Sequence, residues 1–160
     1  MNLLTTEDQT IYPISAILSA DGSLTIAGSD PETLARDFGT PLYLYDGQTV
    51  RSNIQTLQRL LKEHYPAAGA VAYAAKAYFS KQFAAKLAGQ AIEVDVVSLA
   101  ELVVALKAGF APEQIHFHGN NKTAEEIRQA LDLNIHALVI DSPIWYSHSN
   151  PNSSFSYILI

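Results

Sequence analysis

The residue with the most chemistry to offer is Lys76. It closes a run of small and apolar residues, Ala70-Val71-Ala72-Tyr73-Ala74-Ala75, and precedes Ala77-Tyr78-Phe79. An amine held among apolar groups loses its proton more easily, because burial disfavours the charged form. The neutral amine is the nucleophile that Schiff-base formation with a carbonyl requires. The plainer alternative is a lysine that ends a strand and reaches into solvent. Residues 91–97 (AIEVDVV) then bring two carboxylates. Strand alternation puts Glu93, Asp95 and Val97 on one face and Ile92, Val94 and Val96 on the other. Buried acids need partners, and a lysine or a cofactor nitrogen at the strand end would be one; a surface position for both acids is the alternative. Glu101 has a local reason to exist, because a capping box starting at Ser98 asks for glutamate there. His116 and His118 share a strand face at a spacing that can hold a metal. No third ligand lies nearby, so ring contact with a bound ligand, or simple lining of an interior, is expected and no metal site is assigned. Asn120, Asn121 and Lys122 follow Gly119 as a turn, whose amides could serve a site or simply bond the backbone.

These residues need a frame, and the sequence supplies a repeating one. Residues 70–75, 91–97, 114–118 and 137–140 read as strands, and each of the first three is followed by an amphipathic or apolar helix: 80–88, 99–108 and 124–133. Gly89 and Gly109 close the first two helices. Capping boxes at 98–101 and 123–126 mark two helix starts. One βα unit recurs every twenty-odd residues, the size expected of a β/α barrel or an open α/β sheet. In either, function gathers at the carboxyl ends of the strands. Those ends carry Lys76, Ser98, Asn120-Asn121-Lys122 and Asp141-Ser142, though any loop would carry polar groups too. Ahead of the repeat, residues 11–18 and 23–27 read as short strands around Asp21-Gly22. A short helix starts near Asp30-Pro31 and stops at Gly39, and residues 41–45 (PLYLY) read as a strand. Residues 49–64 form a long helix with Val50, Ile54, Leu57 and Leu61 on one stripe. After Asp141-Ser142 the repeat breaks off. The stretch PIWYSHSNPNSSFSYILI has no helical stripe, as expected of a tail foreign to the fold, from a frameshift or premature stop.

Composition narrows the function classes. Ten basic against 16 acidic residues give a net charge of −6, against a nucleic-acid binder and against an anionic membrane surface. A phosphate-bearing cofactor is still admitted, since backbone N–H groups and one lysine can build its site. Apolar residues at 48% support a buried core. With no cysteine there is no disulfide framework. No secretory signal and no run of about 18 apolar residues is present, so a cytoplasmic protein is expected.

Five ordered blocks carry a family resemblance: 39–46 (GTPLYLYD), 73–77 (YAAKA), 95–102 (DVVSLAEL), 105–110 (ALKAGF) and 118–123 (HGNNKT). Together, over about residues 22–142, they resemble the diaminopimelate decarboxylases. These belong to the pyridoxal 5'-phosphate group that alanine racemase and the ornithine and arginine decarboxylases share. The resemblance implies an α/β fold: the N-terminal part of a (β/α)8 TIM-like barrel, about four of eight strands. Short strands that normally join a C-terminal β-domain precede it. The chain then divides into a lead-in (1–35), a partial barrel (36–142) and an atypical tail (143–160). Lys76 is implied to hold the cofactor as a Schiff base and Asp95 to contact it, with Glu101, His118, Asn120 and Asn121 near the site. Tyr78 stands where the family usually has asparagine, and Leu99-Ala100 where it often has Gly-Gly. The phosphate-binding loop, the glutamate that pairs with the ring nitrogen, a stacking histidine and a partner-subunit cysteine are implied to lie beyond residue 142. The implied reaction is decarboxylation of meso-2,6-diaminopimelate to L-lysine and carbon dioxide by a homodimer. The fragment alone is expected to be inactive. Another enzyme of the group, or a non-catalytic remnant, is the alternative.

Overall fold

The computed structural model describes residues 2–5, 7–140 and 156–159, which fall into two compact units divided after Pro66. In the first, β1 (Ala16–Leu18) and β2 (Leu24–Ile26) pair as an antiparallel hairpin. The predicted strand at 11–18 is thus shortened. Its first residues instead follow a 3-10 turn, Asp8–Thr10, whose carbonyls take the N–H groups of Ile11 and Tyr12. Helix α1 (Pro31–Phe38) is capped by Asp30, which accepts from the N–H groups of Glu32 and Thr33. Helix α2 (Gly47–His64) starts two residues earlier than expected, because Asp46 caps it in the same way.

The strand expected at 41–45 is absent. The segment is extended but has no ladder neighbour, and Tyr43, Leu44 and Tyr45 are exposed. Aromatic and branched residues favour a strand only where backbone groups find partners. Of the α2 stripe, Ile54 alone is buried, and Leu57 is exposed.

The second unit carries the repeat. Strands β3 (Ala72–Ala74), β4 (Glu93–Val96), β5 (Ile115–Phe117), β6 (Ala137–Ile140) and β7 (Ser156–Leu159) form one sheet in that order, every pair parallel. Helices α3 (Lys81–Ala88), α4 (Leu99–Ala108) and α5 (Ala124–Asp132) connect β3 through β6 in turn. Asp141, Ser142 and most of the segment read as an atypical tail lie outside the described residues.

One face of the sheet is packed. Ile92, Val94, Val96, Ile115, Phe117 and Leu138 are buried, together with Leu87 of α3, Leu102 and Ala105 of α4, and Ile127 and Ala130 of α5. The expected split of β4 is therefore observed: the odd-numbered residues Glu93 and Asp95 take the other face and stay partly exposed. Ladder register makes that second face orderly. Ala74, Asp95, His116 and Ala137 are successive Cα partners across four strands. Among the described residues no helix is long and apolar enough to cross a membrane.

Candidate active site

Lys76 lies two residues beyond Ala74, within the 3-10 turn Ala75–Ala77 that closes β3. Aromatic packing holds this turn. The Tyr73 hydroxyl donates to the Tyr78 carbonyl at 2.9 Å. The Tyr73 ring stacks on Phe79 at 6.4 Å and meets Phe83 edge-on at 5.6 Å. Tyr78 also leans on Phe83, and Phe79 on Phe110. Such pairs restrict a turn more than apolar area alone would. The lysine itself is exposed, which corrects the premise of an amine sunk in apolar surroundings. No hydrogen bond or ion pair engages the ammonium among the described residues.

Asp95 stands on the neighbouring strand, in register with Ala74. Its Oδ2 is 3.5 Å from Nδ1 of His118, while its Oδ1 is buried and has no hydrogen-bond partner among the described residues. A buried carboxylate oxygen without a donor is costly, and native proteins rarely keep one without use. One position below, the Glu93 carboxylate pairs with Nε2 of His116, whose ring also leans on His136 at 4.7 Å. Each acid thus reaches diagonally to the histidine one register step further along β5. No group of three metal-ligating side chains gathers among the described residues.

Glu101 serves the loop before its helix. Its carboxylate accepts from the Val97 N–H at 2.7 Å, while its own N–H donates to Ser98 Oγ at 3.2 Å. The box expected at 98–101 is therefore shifted by one residue in its return bond, which comes from the Val97 N–H and not from that of Ser98. The box at 123–126 is complete. Asn120 and Asn121 are exposed and their amides make no hydrogen bond among the described residues, so the backbone-bonding alternative for that turn is not what forms.

The residue that sequence reasoning passed over is Lys122. It is 4% exposed. Its ammonium donates to the carbonyls of Gly119 and Val139, the latter at 2.9 Å, and lies 5.6 Å from the centre of the Phe117 ring. Glu126 was read only as a cap, yet it also accepts from the Leu99 N–H at 3.4 Å and so links the starts of α4 and α5. The Thr123 N–H holds its carboxyl below the ordinary range; the Thr123 hydroxyl, the Leu99 N–H and the charge of Lys122 add to this, and burial opposes it. The HGNNKT motif showed a polar turn, but burial of one member depends on β6, which is distant in sequence.

The residues present fit a cofactor with an electrophilic carbonyl and hydrogen-bond donors. An unengaged amine stands at the end of β3, and on the adjacent strand a carboxylate keeps one oxygen without a donor.

Known proteins agree with this geometry. The family described as "Pyridoxal-dependent decarboxylase, pyridoxal binding domain" matches residues 51–147. Diaminopimelate decarboxylase of Staphylococcus aureus (strain COL) is 43% identical over 122 residues, 76% of this chain and 29% of that protein. The Bacillus subtilis (strain 168) enzyme is 42% identical over 124 residues, 76% of this chain and 27% of that protein. The crystal structure of diaminopimelate decarboxylase from M. jannaschii in co-complex with L-lysine superposes with a TM-score of 0.73 at 33% identity, over 84% of this chain and 32% of that one. The chain thus spans under a third of the length of these relatives, and its parallel βα repeat corresponds to the N-terminal part of their β/α barrel. A sheet of this register, a lysine at the end of β3 and the matched family together make the chain a member of the pyridoxal-dependent decarboxylases.

Proposed function

We propose that the protein decarboxylates meso-2,6-diaminopimelate to L-lysine and carbon dioxide, with this chain supplying the lysine that anchors pyridoxal 5'-phosphate. The carrying observation is that Lys76, exposed at the end of β3, follows a strand whose Ala74 is in register with Asp95, and that the buried Oδ1 of Asp95 has no hydrogen-bond partner among the described residues. Lys76 would hold the cofactor through its aldehyde carbon, the amine being the group that can bond to it with loss of water. Asp95 offers a fixed negative charge to that amine or to a protonated ring nitrogen. The bound cofactor supplies the sink for the electron pair left as carbon dioxide departs. His118 steadies Asp95, and Glu101 holds the β4–α4 loop that follows it. Asn120 and Asn121, with free amides on the β5–α5 loop, are placed to meet the substrate's polar groups. The working form is a cytoplasmic homodimer in which the first 35 or so residues join a β-domain.

The choice of substrate rests on the relatives, since those of 42–43% identity carry the name diaminopimelate decarboxylase. Treating the chain with pyridoxal phosphate, reducing with borohydride and mapping peptides is expected to label Lys76, and Lys76→Ala to lose the label. A label on Lys81 or Lys122 instead overturns the anchoring role. For substrate, residues 22–140 are grafted in place of the matching segment of the Bacillus subtilis enzyme. The chimaera is expected to release carbon dioxide from meso-diaminopimelate; a preference for ornithine or arginine sinks the substrate choice.

A further inference from the structure

The carboxyl ends of β4, β5 and β6 are joined by side chains rather than by the ladder alone. Gly119 adopts a φ of +108°, and a Cβ built there would stand 3.1 Å from the Val97 carbonyl oxygen, so the β5–α5 loop lies directly against the end of β4. Val97 is itself held by the Glu101 carboxylate. From the same loop Lys122 turns inward, and its ammonium donates to the carbonyls of Gly119 and Val139 beneath the Phe117 ring. A carbonyl oxygen can accept two hydrogen bonds, and a compact ammonium with three donors can serve more than one carbonyl at once. A buried cation is tolerated when it is hydrogen-bonded, as this one is.

We infer that Lys122 is a positioning residue: it fixes the loop carrying Asn120 and Asn121 against the ends of β4 and β6, and so sets where those amides stand in the site. The clamp stands on its own geometry, while its consequence for ligand binding rests on the proposed function. It also explains how one lysine in the sheet's rim stays chemically free while another does not. The Lys122 ammonium is buried and donates to the Gly119 and Val139 carbonyls, whereas Lys76 is exposed.

Two measurements on the full chain test this. In the unaltered chain, limited acetylation with peptide mapping should modify Lys122 at least about tenfold more slowly than Lys76, because Lys122 reacts only after local opening. Equal rates overturn the inference. In Lys122→Met, amide hydrogen exchange across residues 119–123 should quicken about tenfold or more. The fraction of Lys76 trapped by borohydride at sub-saturating pyridoxal phosphate should fall several-fold, and Lys122→Arg should recover part of both. A Lys122→Met chain with native circular dichroism, unchanged loop exchange and unchanged trapping overturns it. If that variant does not fold, the acetylation contrast and Lys122→Arg decide. If the unaltered chain takes no label at Lys76, the proposed function fails while the acetylation contrast still tests the clamp.

Discussion

Lys76 and Lys122 stand at the same end of one parallel sheet, two strands apart, and their surroundings are opposite. Lys76 rides on a turn braced by aromatic rings and keeps its ammonium in the open. Lys122 is buried and donates to the Gly119 carbonyl of its own loop and to the Val139 carbonyl of β6. Burial alone would have singled out Lys122. Covalent chemistry needs an amine that can be reached, whereas a buried ammonium bonded to carbonyls is shut away. What separates the two is exposure: the first amine is open to solvent and the second is turned onto backbone carbonyls.

Stability should separate them most widely. Lys122→Met removes the hydrogen bonds of a buried ammonium to the Gly119 and Val139 carbonyls, and about 2–4 kcal/mol of unfolding free energy should be lost in urea titrations. Lys76→Met removes no internal contact and should stay within about 0.5 kcal/mol. Similar losses for both would erase the contrast. Gly119→Ala comes next, since the added methyl meets the Val97 carbonyl at a φ that only glycine adopts freely. A cost of about 1–3 kcal/mol is expected, with faster proteolysis of the β5–α5 loop.

Glu126→Gln gives a smaller effect with a definite pH dependence. The carboxyl of Glu126 is held below its ordinary range in the folded chain. Its contribution is therefore present above the unfolded value, about 4.3, and disappears as pH falls through the lower folded value. The variant should lose about 1 kcal/mol at pH 7 by thermal or urea unfolding, and the gap should close as the pH is lowered below roughly 4. A gap that widens on acidification would contradict the assigned bonds. The smallest expected change is that of Tyr73→Phe, which deletes the hydroxyl bond to the Tyr78 carbonyl and keeps the ring contacts. About 0.5–1 kcal/mol and a modest change in Lys76 labelling rate are expected. No change in labelling would mean that the rings alone set the turn.

Much of this was readable in advance where the signal is local. The βα repeat, the caps at Ser98 and Thr123, and the two faces of β4 all follow from residue spacing, because neighbours along the chain decide them. Residues 41–45 misled for the complementary reason: their composition favours a strand, but a strand exists only with a partner, and none is present. The partners of Asp95 and Glu93 were foreseen only as a need. Register supplied them as His118 and His116, from a strand twenty residues on.

By itself the sequence determined which residues could serve: a lysine after a small-residue strand, acids on one face, amides in a turn. Only the tertiary structure decided which lysine is reachable and which is locked. Exposure and hydrogen-bond partners are set where strands far apart in the chain meet, and at Lys122 the deciding group is the carbonyl of Val139, seventeen residues away.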